Sequence, residues 1–164
     1  MSERIEKYRK TLSDARAFWD SVLDQVGDRW ETQIYSDGMA WTVRQIVNHV
    51  ADADRGHNFQ VMSIAEGQNP IPEDFDLERY NNRLTEKTIE KSAEQSRTEL
   101  AETRTQLNQW LDTLDEAKLD NKGRHASLNI LSVAQILRVM ANHEIGHAQD
   151  IAAVLGIPIP AQEA

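Results

Sequence analysis

The chain has 164 residues, about one domain's worth, and its 40% hydrophobic and 27% charged residues are the balance of a folded globular protein, not of a disordered one. Eighteen lysines and arginines against 27 aspartates and glutamates leave a formal net charge of −9, which repels phosphate backbones and anionic lipid and so argues against nucleic-acid binding and membrane docking. The absence of cysteine excludes disulfides, thiolate metal ligands and a cysteine nucleophile.

No run approaches the roughly 18 apolar residues of a membrane-spanning helix. The opening MSERIEKYRK has no apolar core, so no signal peptide is expected and the cytoplasm is the expected compartment.

Only 7 glycines and 4 prolines punctuate the chain, with no proline between Pro72 and Pro158, a pattern that favours long helices. The first apolar series, Ile5, Tyr8, Leu12, Ala15, Trp19, Val22 and Val26, steps by three and four and stops at Gly27. A second runs Val43, Ile46, Val50, Ala53, His57, Val61, Ile64 to Gly67, with Thr42 as candidate N-cap and Gln45 completing a capping box. The third is Ile89, Ala93, Ser96, Leu100, Thr103, Leu107, Trp110, Leu114. The fourth is Val133, Ile136, Met140, His143, His147, Ile151, Val154, opened by Ser132 and closed by Gly156-Ile157-Pro158. No stretch alternates with period two, so no sheet is expected.

Four amphipathic helices of roughly 25 residues, each about 38 Å long, assemble as an all-α four-helix bundle, a single domain over 1–164. The link at 68–84, with Pro70 and Pro72, is too long for a tight turn. Extended, it reaches roughly 50 Å, enough to cross the bundle and let helix three run parallel to helix two in an up-down-down-up order; a short helix within it is the other use of that length. A second long connection, 115–130, holds Gly123, Arg124 and His125.

At about 100° per residue, His143, Glu144 and His147 all fall within roughly 60° of Met140, on the stripe that faces the bundle. A lone histidine there is more often a satisfied core residue. Two at i and i+4 stand about 6 Å apart and suit a shared cation. His49 lies on the shoulder of the second stripe, and a third imidazole from a facing helix would complete a facial triad with open coordination positions.

The string His143-Glu144-Ile145-Gly146-His147 also satisfies the H-E-x-x-H signature of zinc peptidases. The metzincin third histidine is missing, the one glutamate well downstream is Glu163 beyond two prolines, and no strand is expected to pair with a peptide, so a peptidase is set aside. Glu144 remains a candidate to orient a ligand or act as general base, or else a stripe-edge residue reaching for water.

The run Trp41-Thr42-Val43-Arg44-Gln45-Ile46-Val47-Asn48-His49-Val50-Ala51-Asp52-Ala53-Asp54-Arg55, followed in order by Leu131-Ser132-Val133 and Asn142-His143-Glu144 with His147, resembles the DinB/YfiT-like superfamily across about residues 5–156. The resemblance implies an up-down-down-up bundle, often a homodimer, and a divalent metal, commonly zinc or nickel, on His49, His143 and His147. Relatives include bacillithiol S-transferases and mycothiol-dependent maleylpyruvate isomerases; no counterpart of the isomerases' second domain is expected here, which tells against that specific activity.

A cysteine-free protein must borrow its thiol, and a cation on three neutral imidazoles keeps the charge that makes a bound thiol a thiolate. This chemistry is compatible with what the resemblance implies, and the expected function is a metal-dependent transferase joining a low-molecular-weight thiol to a small-molecule electrophile. The alternatives are a non-catalytic metal-binding or stress-response protein and a metal-dependent hydrolase using Glu144. Arg55, Arg124 and Arg138 are candidates to meet an anionic thiol, His57 is expected to pack at the core or rim or else to line the cavity, and His125 carries no reading.

Overall fold

Each of the four apolar stripes becomes a long helix. In the computed structural model, which describes residues 2–159, α1 spans Glu3–Leu23, α2 Val43–Ala65, α3 Leu77–Lys87, α4 Ala93–Thr113 and α5 Val133–Leu155. The starts are set by local chemistry. Thr42, Ser92 and Ser132 each accept from the backbone N–H three residues on, while Gln45, Gln95 and Gln135 reach back to the cap's own N–H. The left-handed Gly156, at φ +67°, closes α5 where the sequence places a stop.

Side-chain bonds between helices give the directions. Asn48 pairs with Ser96 and Asn58 with Thr103, so α2 and α4 run parallel. Arg9 bonds the Asn108 carbonyl and Arg16 the Leu100 carbonyl, so α1 and α4 are antiparallel. Arg16 meets Glu144 and Arg29 meets the Leu155 carbonyl, so α1 and α5 are parallel. The order is up-down-down-up, and the long crossover between α2 and α4 is what allows it.

Two features differ from the expectation, and one alternative left open is decided. The third helix starts at Ala93, not Ile89, because Ser92 caps it; Ile89 lies outside the helix, 58% exposed. The crossover carries α3, capped by Asp76, none of whose residues is buried. The connection after α4 is not sheet-free. It forms a 3-10 turn at Glu116–Asp120 and a two-stranded antiparallel hairpin, β1 Lys122–Arg124 with β2 Ile130–Ser132. Strands of three residues are too short to show alternation in a sequence.

The apolar core falls into two clusters. One gathers Trp19, Val22, Trp41, Ile46, Val50 and Ile151, among others, and the other Leu12, Val61, Ile64, Leu107, Leu137 and Met140. Among the described residues, no helix is long and apolar enough to cross a membrane.

The hairpin packs its Gly123 against α2: a Cβ there would stand 2.6 Å from Ile64 Cγ1, inside the core. Gly123→Ala is expected to destabilise the fold by about 1–3 kcal/mol through overpacking, read as a lower urea midpoint at unchanged m-value.

Candidate metal centre

The facing positions of α2 and α5 bring three imidazoles to one focus. His49 Nε2 and His147 Nε2 each lie 3.0 Å from His143 Nε2. The ring planes cross at 77°, 80° and 83°, so three edges converge as ligand edges do around a cation. One nitrogen from each residue falls within 4.8 Å of the other two.

Surrounding groups set the orientations. Trp41 stacks on His49 with ring centroids 4.4 Å apart. Tyr35, from the loop before α2, donates its hydroxyl proton to Asp150 at 2.6 Å, so at 2.7 Å it must accept from Nδ1–H of His147. That tautomer leaves the lone pair of His147 on Nε2, aimed at the focus.

Burial pushes every histidine pKa down, to about 3 for His49, where the neighbouring His147 and His57 add to the effect. His143 lies well below its ordinary 6.5 for the same reason, with further lowering from His147 and His49. Burial also lowers His147, against the pull of Asp150. Three neutral imidazoles facing one point fit a divalent cation, which takes the lone pairs that would otherwise oppose one another.

Beside the triad opens a cavity of about 380 Å³, lined by Phe59, Ile71, Phe75, Leu77 and Tyr80 among others, and by His49 and His143. Helix α3 closes one side. Tyr80 donates to Asp52 at 2.7 Å, and Trp41 Nε1–H donates to Thr85 at 3.0 Å.

Residues 3–151 match the DinB superfamily. The chain belongs to that superfamily. Among solved structures, the DinB-superfamily fold seen here is similar to that of YfiT from Bacillus subtilis, with a TM-score of 0.71 and 22% sequence identity over 96% of this chain and 91% of YfiT. YfiT is described as "a probable metal-dependent hydrolase with an unusual four-helix bundle topology". At that identity the likeness speaks for the fold alone. No curated protein matches the chain.

Glu144 is not the stripe-edge acid that its position suggests. It is 1% exposed and its Oε1 accepts from Arg16 at 2.6 Å and Arg104 at 2.9 Å, in the middle of this DinB-superfamily bundle. Asp54 joins them, with oxygens 3.4 Å from Arg16 and 3.8 Å from Arg104. Burial pushes the Asp54 carboxyl up to about 6 against the pull of the two arginines. Both arginines hold Oε1, while the buried Oε2 meets no hydrogen-bond partner among the described residues.

The arginines singled out from the sequence play other parts. Arg55 pairs with Asp52, Arg124 bonds the Ile71 carbonyl and Glu73, and Arg138 is exposed. Glu163 lies outside the described residues.

The residues missed are Tyr35, Asp150, Arg16, Asp54, Arg104 and the pair His57–His125, whose Nε2 atoms are 2.8 Å apart. One signal was available. Arg16, Asp54, Arg104 and Glu144 each stand one turn after a stripe residue: Leu12, Val50, Leu100 and Met140.

Two predictions follow from these buried charges. Arg104→Met leaves three of the four with a net negative charge and is expected to destabilise by about 3–5 kcal/mol, whereas the neutral double variant Arg104→Met with Glu144→Met is expected to cost less than the single change; urea unfolding of both decides this.

Metal-free protein is expected to lose stability below about pH 6.5, because the unfolded chain takes up protons that the folded imidazoles refuse. The loss grows toward about pH 3, the value to which His49 and His57 are lowered. It amounts to about 2 kcal/mol per fully neutral imidazole by pH 5. Asp54, raised to about 6, acts in the opposite sense between that value and its ordinary 3.8, but it is one group against five histidines. Calorimetric midpoints from about pH 7.5 to 5 check the sign.

Proposed function

We propose that this DinB-superfamily chain is a metal-dependent enzyme whose His49, His143 and His147 hold one divalent cation, zinc foremost and nickel second, and that it presents a low-molecular-weight thiol to a small electrophile with an apolar body. The observation that carries the reading is that two residues of the triad, His49 and His143, line a largely apolar cavity. A cation sealed on all sides would suit storage or structure; one beside a cavity suits chemistry.

When bound, the cation would supply positive charge that lowers the pKa of a coordinated thiol or water. The chain's own groups do the rest. Tyr35 and Asp150 keep the His147 lone pair on Nε2, and Trp41 holds the ring of His49. The apolar wall takes the body of the electrophile and excludes water from it.

The carboxylates around the site are engaged: Asp52 by Tyr80 and Arg55, Asp150 by Tyr35, Glu144 by Arg16 and Arg104. With each of these carboxylates already held by at least one donor, the site suits a nucleophile with one proton to lose, a thiol, better than water. The chain has no cysteine, so the thiol comes from outside. Hydrolysis is the second reading, favoured by the description of YfiT, with a base other than Glu144.

His147→Ala is expected to lower bound metal, measured by elemental analysis of protein purified without added metal, and to remove the zinc-dependent rise in thermal midpoint. The rise reflects about 2.7 kcal/mol of stabilisation at a hundredfold excess over Kd. Wild-type protein with zinc is expected to consume bacillithiol, mycothiol or glutathione in the presence of styrene oxide, and His147→Ala is not. Diol formation without thiol consumption would replace the transferase reading with the hydrolase one; metal content unchanged in His147→Ala would overturn both.

A further inference from the structure

His57 and His125 form a second imidazole pair, from α2 and the hairpin, on the wall of the same cavity. Their geometry is unlike that of the triad. The rings are 7° from coplanar with centroids 5.0 Å apart, and the two Nε2 atoms are 2.8 Å apart. Nitrogens can approach that closely at that centroid separation when the rings lie end to end, which is the arrangement of an in-plane hydrogen bond.

The direction of that bond is fixed from the hairpin side. The backbone N–H of Ser127 donates to His125 Nδ1 at 3.1 Å, so Nδ1 carries the lone pair and Nε2 the proton. His125 Nε2–H therefore donates to His57 Nε2, and the proton of neutral His57 sits on Nδ1. A backbone N–H cannot reverse, so the chain from Ser127 through His125 to His57 runs one way. Nδ1–H of His57 meets no protein acceptor among the described residues, and the ring, 7% exposed, lines the cavity.

We infer that His57 is a fixed hydrogen-bond donor to the ligand of this cavity, which selects small molecules that carry an acceptor oxygen, such as a carbonyl or epoxide, on an apolar body. The inference rests on the metal-site reading above and adds the substrate class. Burial, with His125 beside it, holds the pKa of His57 down to about 3, so the donor stays neutral at physiological pH and is not a base. His125 is the positioning residue. The wall is largely apolar, with the side-chain amides of Gln60 and Asn81 as further donors, and a buried donor left without an acceptor is costly, so ligands lacking an acceptor oxygen are disfavoured.

The test uses the full chain carrying ¹⁵N-labelled histidine, without metal and then with one equivalent of zinc. Long-range ¹H–¹⁵N spectra are expected to show the proton of His57 on Nδ1 and that of His125 on Nε2 in both states, while zinc moves the resonances of His49, His143 and His147. On zinc-loaded protein, benzohydroxamate, which offers acceptor oxygens, is expected to bind His57→Phe roughly tenfold more weakly than wild type. Thiophenol, which offers sulfur and no oxygen, is expected to bind both alike. His57→Asn, whose amide N–H falls near the same place, is expected to recover most of the loss.

A proton on Nε2 of His57, or equal losses for the two probes, would overturn the donor assignment while zinc binding stands. Zinc that leaves the three ligand resonances unmoved would overturn the metal reading instead, and the tautomer of His57 then decides the donor assignment alone.

Discussion

Four charged side chains, one from each long helix, meet in the interior between the two apolar clusters. Arg16 and Arg104 sit against Glu144 and Asp54, two positive and two negative groups with no net charge. Desolvating them is expensive, and the Coulomb attraction and hydrogen bonds that offset the cost exist at one alignment of the helices. The arginines answer each other: Arg16 donates to the Leu100 carbonyl and Arg104 to the Leu12 carbonyl, one turn before each partner. Hydrophobic layers alone could pack with a helix slid by a turn; this layer cannot without stranding a charge. Glu144 follows His143 directly, so the alignment that neutralises the carboxylates is also the one that carries His143 and His147 to His49.

The histidines show how one residue type serves two ends through its tautomer. In the triad the outer partner, Tyr35 backed by Asp150, takes the proton on Nδ1 of His147 and frees Nε2. In the pair the outer partner is a backbone N–H, which occupies Nδ1 of His125 and leaves the proton on Nε2. Rings near right angles accompany the first arrangement and nearly coplanar rings the second. Both groups are buried enough to stay uncharged, and so both avoid the repulsion that several imidazolium ions in one bundle would create.

Much of this was legible in the residues. Caps and stops are local, so Thr42, Ser132 and Gly156 could be read from their neighbours, and the i, i+4 spacing of His143 and His147 put both on the face of Met140. Where local chemistry and periodicity disagreed, the cap won: Ser92 begins α4, and Ile89 is left outside. The hairpin escaped because three-residue strands leave no pattern, and with it escaped His125, whose partner is 68 residues away. Arg16, Asp54, Arg104 and Glu144 were visible as charges one turn past stripe residues. Each alone reads as a solvated side chain, and their meeting is a fact of four helices at one level.

Helix α3 differs from the rest in having none of its residues in the core. It is fastened across the cavity by a few hydrogen bonds, those of Tyr80 and Thr85 among them, while the bundle beneath is held by its buried clusters and charges. Its detachment therefore exposes little apolar surface and belongs to the low end of the molecule's range of opening free energies. The cavity thus has a door whose hinge strength is independent of the frame: its opening can be tuned by changes in α3 that touch neither the buried clusters nor the buried charges of the bundle.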